Sequence, residues 1–353
     1  IMKINEAKDL IKTNLRLARE KNIYISTMFV SGPGLGKSSI VKQAAAEMEK
    51  ELGEPVGVKP FFLTTVEPPD VRGFGLPDKD ADGNRTMSFT MPPWAVKKGE
   101  PAMGILFLDE LGQAGHDVQK PAAELLLNRK VGDYGLPPGW IVVAASNRES
   151  DRSGVQRELA FITNRRMVIK IEPNLDAWVN WAEREGVNPL AIAFARTKPG
   201  VVFADSIPEK PGAFCTPRSL VMLSQLIGEL DMSTFVEAAS GLIGEGASAE
   251  FVAFLRVAEQ LPKFEEIIAA PDKCEVPKRP DASYAAMQMI AHRVDDKTAK
   301  QAFTYLKRMG REFQVAGLRG TLNRCPGLVR TPDFASWLRD NKELVMAANL
   351  LGK

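Results

Sequence analysis

The sequence TMFVSGPGLGKS occupies residues 27–38 and joins a short apolar run to a glycine-rich segment. The apolar run ends directly at the glycines, which predicts a buried strand over Thr27–Val30. Residues 38–52 are rich in Ala, Glu, Lys and Gln, and this composition favours a helix. A glycine-rich segment between a strand and a helix is the context that a phosphate-binding loop requires.

Such a loop binds phosphate mainly through its backbone. Glycines let N–H groups point at phosphate oxygens without a clashing Cβ atom, and the helix N-terminus adds its positive end. We expect Lys37 to reach the β- and γ-phosphates of a bound nucleotide and Ser38 to hold Mg²⁺. Ser31 stands where the pattern G-x-x-x-x-G-K-[ST] has its first glycine. The predicted nucleotide-binding residues are Ser31, Gly32, Gly34, Leu35, Gly36, Lys37, Ser38 and Ser39.

Further apolar runs predict a parallel sheet. They alternate with helical stretches such as 117–128, which is the βαβ pattern of an α/β fold with helices on both faces of a five-stranded sheet. The four later runs are Phe61–Thr65, Ile105–Leu108, Ile141–Ala145 and Met167–Ile171.

After Pro173 the strand-like runs stop and helical patterns dominate. We therefore predict three domains: an α/β nucleotide-binding domain over 1–174, a helical lid over 175–265 and a helical C-terminal extension over 266–353. The proline-rich segment 270–280 is the predicted linker to the last part.

Two acids end the third predicted strand. Because successive side chains alternate along a strand, Asp109 and Glu110 point in different directions. One can then hold the water shell of a metal while the other acts on the attacking water. A helix N-cap followed by a first-turn acid explains the same dipeptide locally. The separation of 72 residues between Lys37 and Asp109 has room for two βα units and favours a nucleotide-hydrolysing site.

Other polar residues lie at predicted strand and helix ends. Asn147 follows the fourth strand, where it orients the attacking water, senses the γ-phosphate or forms a turn. Arg165 and Arg166 precede the fifth strand as a solvated pair or as an arginine finger. Arg218 begins a helix, where a cation opposes the helix dipole. It is therefore either a ligand of an external anion or an exposed arginine.

In this order the motifs resemble those of the AAA+ ATPases, and within them the MoxR-like, dynein-related group. The resemblance runs from about residue 27 to about residue 230 and is most specific at 104–111, 118–127 and 136–148. It implies that Lys37 and Ser38 belong to Walker A and that Asp109 and Glu110 belong to Walker B. It also implies these further roles: sensor 1 at Asn147, sensor 2 at Arg218 and the arginine finger at Arg165.

The resemblance also implies an activity and an assembly. By this resemblance Mg²⁺ and ATP would bind between the subunits of a hexameric ring or spiral, and hydrolysis would remodel or activate a partner protein. Such ATPases often act with von Willebrand factor A-type proteins. Residues 69–94 resemble the hairpin insert that faces the pore in this family, with a turn at 82–84. An ordinary surface hairpin fits the same residues.

Charge and composition limit the alternatives. The chain has 46 basic and 44 acidic residues. Its net charge of +2 therefore produces little positive electrostatic potential to attract nucleic acid. Residues 281–353 hold 12 basic and 7 acidic side chains, which keeps a DNA-associated motor or filament as the alternative. An ATP-gated scaffold is a third interpretation, which an intact Glu110 and a finger argue against. The chain has no long apolar run, no secretory leader pattern and only three scattered cysteines, so we expect a cytoplasmic protein without a membrane segment.

Overall fold

The computed structural model describes residues 1–151, 154–155, 166–204, 207–208, 211–331, 334, 337, 339 and 341–347. The chain divides into two compact units, Ile1–Pro173 and Asn174–Lys353. The first unit is α/β and the described part of the second is helical. The predicted fold class, a parallel sheet flanked by helices and followed by a helical part, is thereby confirmed.

A parallel sheet forms the centre of the first unit. Its strands are β1 (Met2–Lys3), β2 (Thr27–Val30), β3 (Val56–Phe62), β6 (Met103–Asp109), β9 (Trp140–Ser146) and β10 (Met167–Glu172). Their spatial order is β1-β10-β2-β9-β6-β3, and every neighbouring pair is parallel. Every residue of β6 and β9 is buried, because helices cover both faces of a parallel sheet.

Helices pack on both faces of this sheet. The longer helices of the unit are α1 (Ile4–Lys21), α2 (Lys37–Leu52) and α4 (His116–Asn128), with the short α3 at Pro68–Arg72. Side chains alternate along β6, so that Ile105 and Phe107 join the core that includes α1 and α2, whereas Leu106 and Leu108 join the core that includes α4. The unit is therefore a three-layer α/β sandwich.

The sheet differs from the prediction in two places. A sixth strand, β1, pairs with β10 and is only two residues long, too short to give a sequence pattern. Strand β3 covers 56–62 instead of 61–65, and a 3₁₀ turn follows at Leu63–Thr65. Lys59 and Pro60 interrupt the apolar pattern of β3, and Pro60 is tolerated because β3 is an edge strand.

The segment between α3 and β6 contains the predicted hairpin. Strands β4 (Gly75–Lys79) and β5 (Arg85–Phe89) are antiparallel, and Gly83 has a positive φ of 83° in the turn between them. The indole of the buried Trp94 donates a hydrogen bond of 2.6 Å to the carbonyl oxygen of Val71, which anchors the base of the hairpin. A second small ribbon consists of β7 (Lys130–Val131) and β8 (Tyr134–Gly135).

The second unit consists of helices in its described part. They are α5 (Leu175–Arg184), α6 (Pro189–Thr197), α7 (Pro199–Val202), α8 (Pro217–Ser224), α9 (Met232–Ile243), α10 (Glu245–Ala258), α11 (Phe264–Ala269), α12 (Pro280–Arg293), α13 (Ala299–Leu306), α14 (Arg311–Arg324) and α15 (Lys342–Ala347). Residues 299–324 are divided between α13 and α14, since Gly310 is the N-cap of α14. No helix in the described ranges is both long and apolar enough to cross a membrane.

A buried carboxylate joins several helices of the second unit. Glu183 of α5 accepts hydrogen bonds from Gln288 of α12 at 3.2 Å and from Asn323 of α14 at 2.8 Å. Arg196 of α6 lies 3.5 Å from the same carboxylate. Residues on both sides of the boundary predicted at 265 and 266 thus share polar contacts, and that boundary stays a prediction.

Candidate nucleotide-binding site

The loop between β2 and α2 has the backbone that its glycines predict. Gly34 and Gly36 have φ angles of 70° and 86°, in the left-handed region that glycine adopts without strain. Gly36 is the N-cap of α2, and Lys37 is the first residue of that helix. The N–H groups of the first helical turn have no partner within a helix and are suited to bind an anion.

The side chain of Lys37 is folded against this loop. Its Nζ atom donates to the carbonyl oxygens of Ser31 and Gly32 at 3.1 and 3.0 Å, and it lies 3.3 Å from Ser31 Oγ. It also donates to Asn147 Oδ1 at 2.8 Å. Lys37 is only 9% exposed. Ser31, which replaces the usual glycine, therefore adds a hydroxyl group beside the ammonium group.

A hydroxyl and a carboxylate meet at the first turn of α2. Ser38 Oγ donates a hydrogen bond of 2.8 Å to Asp109 Oδ2, and Asp109 is 7% exposed at the end of β6. The other oxygen of this carboxylate accepts the N–H of Glu110 at 3.0 Å. The two residues predicted to bind the metal are thus adjacent.

Glu110 has a different environment from Asp109. Its φ and ψ angles of 60° and 33° are left-handed, which is unusual for a residue with a side chain. Its carboxylate accepts a hydrogen bond from the hydroxyl of Thr64, in the turn that follows β3. The two neighbouring acids therefore face different partners: Asp109 faces the start of α2 and Glu110 faces the edge strand.

Strand order explains why these residues meet. Strand β9 lies between β2 and β6, so Asn147 emerges beside the loop that follows β2 and beside the acids that end β6. Ligand sites of parallel α/β sheets lie at these carboxyl ends. Close packing continues there, because a Cβ atom on Gly112 would lie 2.2 Å from Ser146 Oγ. Gln113 accepts a hydrogen bond from the same hydroxyl at 3.3 Å.

Other predicted site residues are placed differently. Ser39 is exposed on α2 and Leu35 is partly buried in the loop. Arg218 is exposed in the first turn of α8, after the N-cap Thr216, and belongs to the second unit. Arg165 lies outside the described residues, whereas Arg166 is partly buried just before β10.

Two features of the site are not predicted by the sequence. Thr64 was predicted in a strand, although it lies in the turn that contacts Glu110. No role was predicted for Arg148, whose Nε donates to the two oxygens of the buried Asp151 at 3.1 and 3.2 Å. The only sequence signals for them were a polar residue two positions after an edge strand and an i, i+3 charge pair.

The donors and acceptors fit a magnesium nucleotide. The loop backbone and Lys37 offer hydrogen-bond donors to phosphate oxygens, and Ser38 with Asp109 offers oxygen ligands. No cluster of three or more His, Cys, Asp and Glu able to hold a metal occurs among the described residues. Mg²⁺ does not require such a cluster, because it commonly binds one or two carboxylates together with phosphates and water.

The chain resembles known proteins only distantly, and only in structure. No protein-family model matches the chain, and no curated protein sequence matches it. A RuvB mutant of Thermotoga maritima is 14% identical, with a TM-score of 0.41 over 77% of this chain and 78% of that chain. Another RuvB mutant of that organism is 13% identical, with a TM-score of 0.41 over 93% and 89% of the two chains. NtrX from Brucella abortus is 15% identical, with a TM-score of 0.32 over 89% and 66%. Likeness at this level assigns neither a family nor an activity.

Proposed function

We propose that this protein is a Mg²⁺-dependent ATPase of the AAA+ class. The observation that carries the proposal is the cluster formed by Lys37, Ser38, Asp109, Glu110 and Asn147. These residues follow three neighbouring parallel strands and meet beside a loop with left-handed glycines. The resemblance of the motifs to AAA+ ATPases supports the same conclusion from the sequence.

The roles follow from the contacts. Lys37 and the loop N–H groups bind the phosphates of ATP and orient the triphosphate. Ser38 and Asp109 hold Mg²⁺, which supplies charge neutralisation at the phosphates. Glu110 orients the attacking water and accepts its proton. Thr64 positions the carboxylate of Glu110, because it donates a hydrogen bond directly to that group.

Asn147 connects the end of β9 to Lys37. Its amide oxygen accepts a hydrogen bond from the lysine ammonium, so a change in the hydrogen-bond partners of Lys37 also affects Asn147. An amide can also orient water by accepting and donating hydrogen bonds at the same time. These two properties suit the sensor 1 role that the resemblance implies.

We further propose the assembly and the kind of work. By resemblance to the MoxR-like group, the protein forms a hexameric ring or spiral in which Arg165 acts on the neighbouring subunit and Arg218 serves as sensor 2. The work is remodelling or activation of a partner protein, with a von Willebrand factor A-type protein as the candidate. The exposed hairpin at 75–89 is the segment that the same resemblance places at the pore.

A nucleotide-binding measurement tests the proposal. We expect Lys37→Ala to abolish binding of a fluorescent ATP analogue, because phosphate charge loses its buried ammonium partner. Lys42→Ala is the matched control, since Lys42 is an exposed lysine on the same helix, and it should bind like the wild type. Equal binding by wild type and Lys37→Ala would contradict the proposal.

The DNA-motor alternative has its own discriminating result. A protein that follows a DNA backbone neutralises several phosphates, so its affinity falls steeply with salt. The net charge of +2 and the mixed charges around the hairpin turn give little attraction. We expect DNA affinity no tighter than the non-specific range of about 10⁻⁴–10⁻⁶ M and no stimulation of ATPase activity. A several-fold stimulation that disappears at high salt would favour the DNA motor.

A further inference from the structure

Arg148 is held in a fixed position next to the candidate site. It directly follows Asn147, and its Nε atom donates to both oxygens of Asp151. The side chain of Asp151 is 2% exposed, whereas that of Arg148 is 33% exposed. A buried carboxylate that binds Nε fixes the plane of the guanidinium group. Because this group is planar, the carboxylate also fixes the orientation of its two Nη atoms.

The guanidinium group of Arg148 lies against the phosphate-binding loop. A Cβ atom on Gly32 would be only 2.9 Å from Arg148 Nη2, so a glycine at this position makes room for the arginine. The carbonyl oxygen of the same glycine accepts a hydrogen bond from Lys37 at 3.0 Å. Two cationic side chains therefore contact the same residue at the start of the loop.

Arg148 lies at the start of the loop, beside two groups that bind the Lys37 ammonium. In phosphate-binding loops the backbone surrounds the α- and β-phosphates, and the lysine reaches the β- and γ-phosphates. Arg148 lies next to Gly32 and Asn147, which are both contacts of the Lys37 ammonium. We therefore expect Arg148 to lie near the terminal phosphate of a bound triphosphate.

We propose that Arg148 contacts the terminal phosphate of the bound nucleoside triphosphate and distinguishes it from the diphosphate. This inference rests on the proposed nucleotide site. It assigns a cation from the same chain to the γ-phosphate, in addition to any arginine from a neighbouring subunit. Asp151 is the positioning residue, because it acts on the phosphate only through the orientation of Arg148.

The test compares the affinities for AMP-PNP and ADP, measured by calorimetry in the presence of Mg²⁺. We expect Arg148→Gln to weaken AMP-PNP binding about tenfold and to leave ADP binding within about twofold. The affinity of Arg148→Lys for AMP-PNP should lie between those of the wild type and Arg148→Gln, because lysine keeps the charge and loses the planar guanidinium group. Arg16→Gln is the control, since Arg16 is an exposed arginine of α1 paired with Glu51.

A second variant reaches the same contact from the loop. Gly32→Ala places a methyl group against Nη2 without removing the Arg148–Asp151 ion pair, so it should also lower the preference for AMP-PNP over ADP. Gly32→Ala takes the place of Arg148→Gln in this test if Arg148→Gln does not fold. Equal losses for both nucleotides, or no loss for either, would overturn the role of Arg148. A wild-type protein that binds neither nucleotide would instead overturn the proposed function.

Discussion

At the residue scale, the backbone of Glu110 is the most unusual feature of the site. A left-handed conformation costs a residue with a side chain on the order of 1–3 kcal/mol, and Glu110 has it with φ at 60°. Its N–H bonds to Asp109 and its carboxylate bonds to Thr64. These contacts hold two adjacent acids in two separate environments, as the proposed roles in metal binding and water activation require.

Thr64 gives the prediction at this scale. We expect Thr64→Val to lower kcat about fivefold, because the carboxylate of Glu110 loses one hydrogen bond worth about 1 kcal/mol. The KM for ATP should stay unchanged, since Thr64 has no predicted phosphate contact. Thr64→Ser keeps the hydroxyl group and should restore kcat. Steady-state kinetics of the three proteins are the measurement, and unchanged kcat in Thr64→Val would contradict a positioning role.

The sequence predicted the residues that belong to a motif and missed those defined only by contact. Lys37, Ser38 and Asp109 follow from spacing, because a strand, a glycine loop and a second strand fix their relative positions. Thr64 depends on where β3 ends, and Pro60 obscures that boundary. Arg148 depends on the space that Gly32 leaves, which only three-dimensional packing shows.

At the scale of elements, strand burial determined which parts of the fold were predictable. The continuous apolar runs of β6 and β9 exist because both faces are covered, and they gave clear predictions. Packing between strands adds requirements that no run reveals. A Cβ atom on Gly104 would lie 2.8 Å from the Trp140 ring, so this glycine is needed for close packing of the buried indole.

Helix α12 gives a pH prediction for the second unit. Burial lowers the pKa of His292, and the nearby Arg324 and Arg293 lower it further. Because the pKa is lower in the folded state than the unfolded value of about 6.5, the neutral imidazole stabilises the fold above that pH. This stability is lost as the pH falls through the folded-state pKa.

The measurement is the free energy of unfolding from urea titrations between about pH 5 and 7. We expect the wild type to lose stability relative to His292→Gln as the pH falls, because glutamine does not take up a proton. The difference between the two proteins removes the contribution of carboxylates that titrate in both. A difference that does not change with pH would contradict the prediction.

At the scale of the whole molecule, the proposed oligomer predicts complementation between inactive variants. Arg165→Ala and Glu110→Gln should each lack ATPase activity when assembled alone. In mixed oligomers some interfaces combine an intact Glu110 with an intact Arg165 from the neighbour, so part of the activity should return. If mixed oligomers form and remain inactive, Arg165 does not act in trans, and Arg166 is the next residue to test.

In the proposed function, Glu110 activates water at a nucleotide site built on Lys37. The most direct test of this role is single-turnover ATP hydrolysis by Glu110→Gln, with ATP binding measured on the same protein and Glu20→Gln as the control on an exposed glutamate. We predict that Glu110→Gln binds ATP like the wild type and loses hydrolysis, because an amide cannot accept the proton of the attacking water. Hydrolysis by Glu110→Gln at the wild-type rate would contradict the role of Glu110 in activating water.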